Sequence, residues 1–535
     1  MMEKKTFLKG AVILGMAGLM VQVFGAIFRI PLANIIGPSG MGYYQTAYPI
    51  YVFLLVFSTN GAPAAISKMT SERLAMGRVK DAHQVFRNSF LLMSIVGFVA
   101  FVAVFFGAES IVSAVGAPGA VLAMKAIAPA LLVVPIMSVY RGYFQGMQNM
   151  GPTATSQLIE QGVRVAVGLT LAIVLMKESV EFAAAGATFG TSVGPVAGVL
   201  VLAIIYSGRR QALLAQQGND QESRGEPARK IMGTLLWIAM PITVGVSILP
   251  IINLGDLLVV MKRLEATGFS LEEANILYGQ LTGMAGPVIN IPMALALSMA
   301  LSMVPAIAAA NAAGDRGFLE KNIQLGFRTA MMVGVPCSFG LIILAEPIMT
   351  LLYPMEMESA ISASNSLAYL AMGVIFLCVA QTMAGTLQGL GRPGIAVIGL
   401  ITGFVVKWVA TYFLTGIPGL NIDGAAIASA LAYTTVGLFN FAAVKALTGI
   451  VFDRNLTMLK PLVSGLVMFI VAGLVYRIFD GILGNAGSCL LAVFFGALVY
   501  GLVLLKIKGI QPEEVKQLPK GEKIWKLLKK IRWIK

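Results

Sequence analysis

Apolar runs of about 20 residues recur along almost the whole chain, each long enough to cross a ~30 Å hydrocarbon core as a helix. That recurrence decides the fold class: an all-α polytopic membrane protein with about fourteen transmembrane helices. The connections between runs are short, and none is large enough to fold as a soluble domain. Bulk chemistry agrees. Only 12% of the 535 residues are charged and 57% are apolar, whereas soluble domains carry roughly 25% charge. The 58 glycines fit the same class, because small residues let membrane helices approach closely. The first run follows Lys4, Lys5 and Lys9 and continues to Ile30 without a small-residue cleavage site. It reads as a spanning helix and not as a signal peptide.

A net charge of +14 invites a nucleic-acid reading. The distribution rejects it, because the basic residues lie between the apolar runs and in the tail. Cys337, Cys378 and Cys489 all sit inside apolar segments, odd in number and far apart, which gives neither a disulfide framework nor a metal site. The single histidine, His83, lies in a charged stretch and reads as a solvated loop residue.

The charges also test the topology. With the N-terminus cytoplasmic, 31 of the 39 Lys and Arg fall on the cytoplasmic side. Five fall on the opposite side (Lys125, Lys177, Lys262, Arg263 and Arg477), and three lie inside spans (Arg29, Arg164 and Lys407). This asymmetry follows the positive-inside rule and puts both termini in the cytoplasm. An extra or missing helix would mix the two classes.

An internal repeat divides the chain. The stretch FQGM at 144–147, then Gly151 and Arg164, matches LQGL at 387–390, then Gly394 and Lys407, at a constant offset of 243. The expected organisation is an N-lobe of six helices over 1–208, a cytoplasmic linker over 209–230, and a C-lobe of six helices over 231–448. Two further helices cover 449–506, and a basic tail covers 507–535. Six spans per copy give both copies one orientation, a parallel repeat about an axis along the membrane normal. In the tail, Ile524, Leu527, Leu528 and Ile531 share a helical face ringed by lysines, the pattern of an interfacial helix on anionic lipid.

An ionisable group at the centre of a spanning helix costs at least ~2.5–3.5 kcal/mol, so each one needs a reason. Arg164 lies ~18 Å into the fifth span and Lys407 ~21 Å into the eleventh, at equivalent repeat positions near mid-membrane. Glu160, four residues before Arg164, can pair with it on one helix face. Arg29 and Asp256 come late in spans one and seven, where snorkelling to the interface is an equal alternative. Polar, glycine-containing stretches read as helix interruptions: 58–63 with Asn60, and Gln280 through Pro292. Irregular backbone at that depth is tolerated only inside protein or beside a wet cavity. Arg29, Arg164 and Lys407, with Glu160, Asp256, Asn60 and Gln280, are therefore the candidate substrate-binding set. Arg and Lys clamp phosphate oxygens, so a cationic cavity suits an amphiphile with an anionic head. No Walker A loop, zinc motif or nucleophile elbow is present, so nothing points to an enzyme.

These residues carry a resemblance. FGAIFRIPLANIIG at 24–37, GYYQTAY at 42–48, AEPIMTLLY at 345–353 and the repeated Gln-Gly near 145 and 388 resemble the multidrug/oligosaccharidyl-lipid/polysaccharide exporter superfamily. Within it the chain is most similar to the polysaccharide biosynthesis and stage V sporulation protein B group and to MurJ-type lipid II flippases. The resemblance implies two six-helix lobes around an alternating-access cavity. It also implies translocation of an undecaprenyl-diphosphate-linked glycan precursor by a monomer embedded in membrane lipids. No cofactor is implied, and a coupling ion, Na⁺ or H⁺, stays open. The family's cavity-facing arginine in the first helix matches Arg29. Where MurJ-type proteins of Gram-negative bacteria carry an Arg pair late in span two, this chain reads Val56-Phe57-Ser58. Near their Arg early in span eight stands Gln280. Two rivals remain. An ion-coupled multidrug exporter would need acids in early helices, and span one has none. A membrane glycan polymerase would need acids in sizeable outer loops, which are absent.

Overall fold

The computed structural model describes residues 2–217 and 225–509, so the basic tail helix expected from the sequence lies outside the described residues. Every regular element among the described residues is helical. The chain divides into two compact units, Met1–Gly283 and Met284–Lys535. The first contains α1 (Met2–Val56), α2 (Ala62–Ala75), α3 (Val79–Val115), α4 (Val121–Gly146), α5 (Gly151–Leu175), α6 (Val180–Gln217), α7 (Ala228–Ala266) and α8 (Leu271–Gly279). The second contains α9 (Gly286–Ala313), α10 (Arg316–Ile343), α11 (Ala345–Leu352), α12 (Met357–Met372), α13 (Val374–Gly389), α14 (Pro393–Leu414), α15 (Asn421–Thr448) and α16 (Lys460–Lys506).

Eleven helices among the described residues are long and apolar enough to cross a membrane, and twelve if the bent pair α12 and α13 counts as one span. Two of the longest are each two helices joined at a single non-helical glycine. Gly37 in α1 (φ 64°, ψ −177°) and Gly484 in α16 (φ 66°, ψ 174°) adopt a conformation that only glycine takes freely. Counting each side of these corners separately gives the fourteen segments expected from the sequence. Large apolar side chains face outward, Phe106 at 77% and Trp237 at 80% exposure. Such a surface belongs in hydrocarbon.

The two stretches read as interruptions are not breaks. Phe57–Gly61 and Gln280–Ala285 are π-helical turns, and the helix continues through both. A π turn accommodates one extra residue while the backbone groups stay bonded within the helix. A true break would leave them unsatisfied in lipid. His83 also departs from expectation. It lies within α3 and stacks on Phe86 and Tyr206, with ring centroids 5.9 and 6.4 Å away. An aromatic cluster that also holds Tyr140 and Tyr143 explains why it is not a solvated loop residue.

Glycines set the helix seams. In the first unit, a Cβ on Gly142 would lie 2.8 Å from the Pro63 carbonyl oxygen, and one on Gly146 would lie 2.7 Å from that of Ser67. In the second, a Cβ on Gly385 would lie 2.7 Å from the Ala300 carbonyl oxygen, and one on Gly389 would lie 2.9 Å from that of Val304. Both pairs are related by the offset of the repeat. In each unit the repeat helix, α4 or α13, is thus seated on its neighbour through two glycines one turn apart.

Candidate functional site

The site in the first unit begins with α5. Thr153, Gln157, Glu160, Gln161 and Arg164 recur at the helical period on this helix, and all five line a cavity of about 260 Å³. The opposite wall is α1 and α4, through Tyr48, Tyr51, Ser138 and Arg141. Helix α6 holds α5 in place. Gly186, Gly190, Gly194 and Gly198 form a stripe of glycines four residues apart. A Cβ on Gly190 would lie 2.7 Å from the Arg164 carbonyl oxygen, and one on Gly194 would lie 2.7 Å from that of Glu160. On another face of α6, Thr188 and Ser192 donate to the carbonyls of Ala123 and Ala126 on α4 at 3.1 and 2.7 Å. The chain thus brings α4, α5 and α6 close enough to build a polar interior between apolar helices.

Arg164 is held by aromatic rings and, among the described residues, by no carboxylate. Its Nη2 donates to the Tyr44 hydroxyl at 2.6 Å. Its guanidinium carbon lies 5.5 Å from the centre of the Phe28 ring and 5.2 Å from that of Tyr48. Tyr48 also receives Arg29, at 5.7 Å, and stacks on Tyr44 at 5.7 Å. Two cations therefore share one tyrosine ring, each attracted to its negative quadrupole. Arg164 Nε is buried without a hydrogen-bond partner.

Glu160 does not pair with Arg164 as its spacing suggested. It accepts from Arg141 Nη2 at 2.7 Å, and Arg141 Nε donates to Ser156 at 3.0 Å. Arg141 sits in α4 and neutralises Glu160, the one acid among the residues lining the cavity. That leaves Arg164 without a carboxylate partner among the described residues.

The other candidates are dispersed. Thr59, in the first π turn, lines the cavity, while Asn60 is exposed and donates to Thr59 Oγ1 at 2.9 Å. Gln280 opens the second π turn and is buried. Within that turn the Thr282 carbonyl accepts from Gln45 at 2.7 Å. Asp256 is buried in α7. Lys407 lies on α14 of the second unit, partly buried, one turn beyond Gly403. Sequence reasoning missed Arg141, Tyr44, Tyr48, Gln157 and Thr191. The polar period along α5 was the readable signal for Gln157.

A bundle of membrane-crossing helices with a buried, cation-bearing polar cavity is the architecture of a transporter. The sequence matches the family described as polysaccharide biosynthesis protein over residues 7–311, and the chain belongs to that family, within the multidrug/oligosaccharidyl-lipid/polysaccharide exporter superfamily. Residues 282–413 match the family described as MatE. These are families of transporters and not of enzymes. Lipid II flippase MurJ of Bacillus subtilis (strain 168) is 28% identical over 490 residues, 89% of either chain. Stage V sporulation protein B of the same organism is 25% identical over 527 residues, 97% of this chain and 98% of that one. A solved lipid II flippase MurJ, in an inward closed conformation, superposes with a TM-score of 0.69 at 16% identity over 92% of this chain and 98% of its own. An inward-facing multidrug resistance MATE family transporter gives the same TM-score at 15% identity, over 82% and 98% of the two chains.

Proposed function

We propose that the chain is a flippase that carries an undecaprenyl-diphosphate-linked glycan precursor, of the lipid II class, across the bacterial cytoplasmic membrane by alternating access. The observation that carries this reading is Arg164, a guanidinium without a carboxylate partner in a polar cavity inside the apolar first unit. Placing it there is costly, and an anionic head group would repay that cost. The relation to proteins named as lipid II flippase and stage V sporulation protein B supports the same substrate class. In this reading Arg29, Arg164 and Lys407 meet the diphosphate, two six-helix lobes rock about it, and both termini are cytoplasmic. One copy suffices, driven by an ion gradient, the membrane potential or the substrate's own gradient.

The test is loss of transport. Depleting the protein should make lipid-linked precursor accumulate on the inner leaflet. An Arg164→Gln/Lys407→Gln double variant should fold and fail to clear it. Normal precursor translocation by the double variant would sink the role given to these cations. A multidrug exporter would instead raise resistance to cationic dyes, an outcome the positive cavity of the first unit argues against.

A further inference from the structure

We propose that the cavity between α1, α4 and α5 is a sugar subsite, which receives the pyranose nearest the diphosphate of the carried lipid. This inference rests on the flippase reading and assigns one part of the head group within it. The argument comes from polar groups that have no partner in the folded chain. Thr153 and Thr191 are 1% and 3% exposed. Both line the cavity, and neither hydroxyl makes a hydrogen bond. The Gln157 side-chain oxygen and Arg164 Nε are likewise buried and unpartnered, on residues that line the same cavity. Buried polar atoms are nearly always bonded, so four such atoms around one space describe a ligand's hydrogen-bond pattern.

That pattern is mixed. Arg164 Nε and the two threonine hydroxyls can donate, while the Gln157 oxygen and the Glu160 carboxylate accept. A phosphate in this space would face Glu160, and a cation would face Arg164. A neutral polyol satisfies both kinds of group, since each hydroxyl donates and accepts. The Tyr48 and Tyr51 side chains add aromatic walls against which the apolar face of a sugar ring can lie. Size agrees: about 260 Å³ is the space of roughly nine waters at ~30 Å³ each, the scale of one pyranose ring. Position agrees as well. Arg29 and Arg164 flank the Tyr48 ring, but only Arg164 lines the cavity. Arg164 therefore belongs both to the cation pair on Tyr48 and to the polar cavity, as a linkage between diphosphate and first sugar requires.

The experiment compares two probes on the purified full chain: undecaprenyl diphosphate, and the same lipid carrying one N-acetylhexosamine. Wild type should bind the sugar-bearing lipid more tightly. Thr191→Val and Gln157→Leu should each reduce that advantage by about three- to tenfold, the value of a neutral hydrogen bond, and leave binding of the bare diphosphate lipid unchanged. Thr191→Val preserves shape and removes an unbonded hydroxyl, so its unfolding temperature without ligand should equal or exceed that of wild type. A sugar advantage unchanged in both variants overturns the subsite and leaves the flippase reading standing. Equal weakening of both probes assigns the cavity to the diphosphate and likewise overturns it. Failure of wild type to bind either lipid overturns the flippase reading, and the subsite with it.

Discussion

Arg141 and Arg164 sit on adjacent helices of one unit and are compensated by different chemistry. Arg141 has a carboxylate at 2.7 Å, with both side chains largely withdrawn from solvent. Arg164 has a phenol and two aromatic faces. The two should respond oppositely to mutation. Arg141→Gln strands the Glu160 carboxylate and should lower stability by about 3–5 kcal/mol, read as an earlier unfolding transition in detergent. Replacing both members of the pair with apolar residues should cost less than either single change. Arg164→Gln should affect unfolding little and transport strongly. The spacing of Glu160 and Arg164 made them look like partners because pairings three or four residues apart are the ones visible along one helix. The true partner lies 19 positions away, across the turn between α4 and α5. Only the fold brings it near.

Helix α6 shows what its glycines do at the scale of an element. The stripe from Gly186 to Gly198 replaces side chains with direct approach to the α5 backbone, so its effect is geometric. Gly194→Val should push α5 outward, open the cavity wall and lower stability by about 1–3 kcal/mol as an overpacked seam. Gly162, on α5, has open space where a Cβ would stand, so Gly162→Ala should be neutral or stabilising by up to about 1 kcal/mol. Comparing the two by thermal unfolding separates packing from helix propensity. Much of this element was legible: apolar length gave the helix, and the polar period along α5 marks the face turned to the cavity. The π turns were not, because residues such as Asn60 and Gly61 read as helix breakers. Whether a helix breaks or widens depends on whether its backbone groups can find water, and in lipid they cannot.

For the whole molecule, the charge asymmetry of the sequence becomes a labelling experiment. Lys177 and Arg392 are both exposed and lie on opposite sides in the proposed topology. The native cysteines are buried or partly buried within helices, which keeps background labelling low. Lys177→Cys should react with an impermeant maleimide on intact cells, and Arg392→Cys only after permeabilisation. The reverse pattern would invert the topology. The repeat was readable as far as its offset, and Gly142 and Gly385 extend it into packing. The seam they make needed coordinates, because a glycine in sequence does not say what it touches. The corners at Gly37 and Gly484 carry one more consequence. Proteases cut chain that can be drawn out into an extended strand, usually at exposed loop tips. At these two positions one helix passes into the next with no loop between. Limited digestion of the protein in its bilayer should therefore leave Met2–Ala75 and Lys460–Lys506 as uncut fragments, each longer than a single crossing.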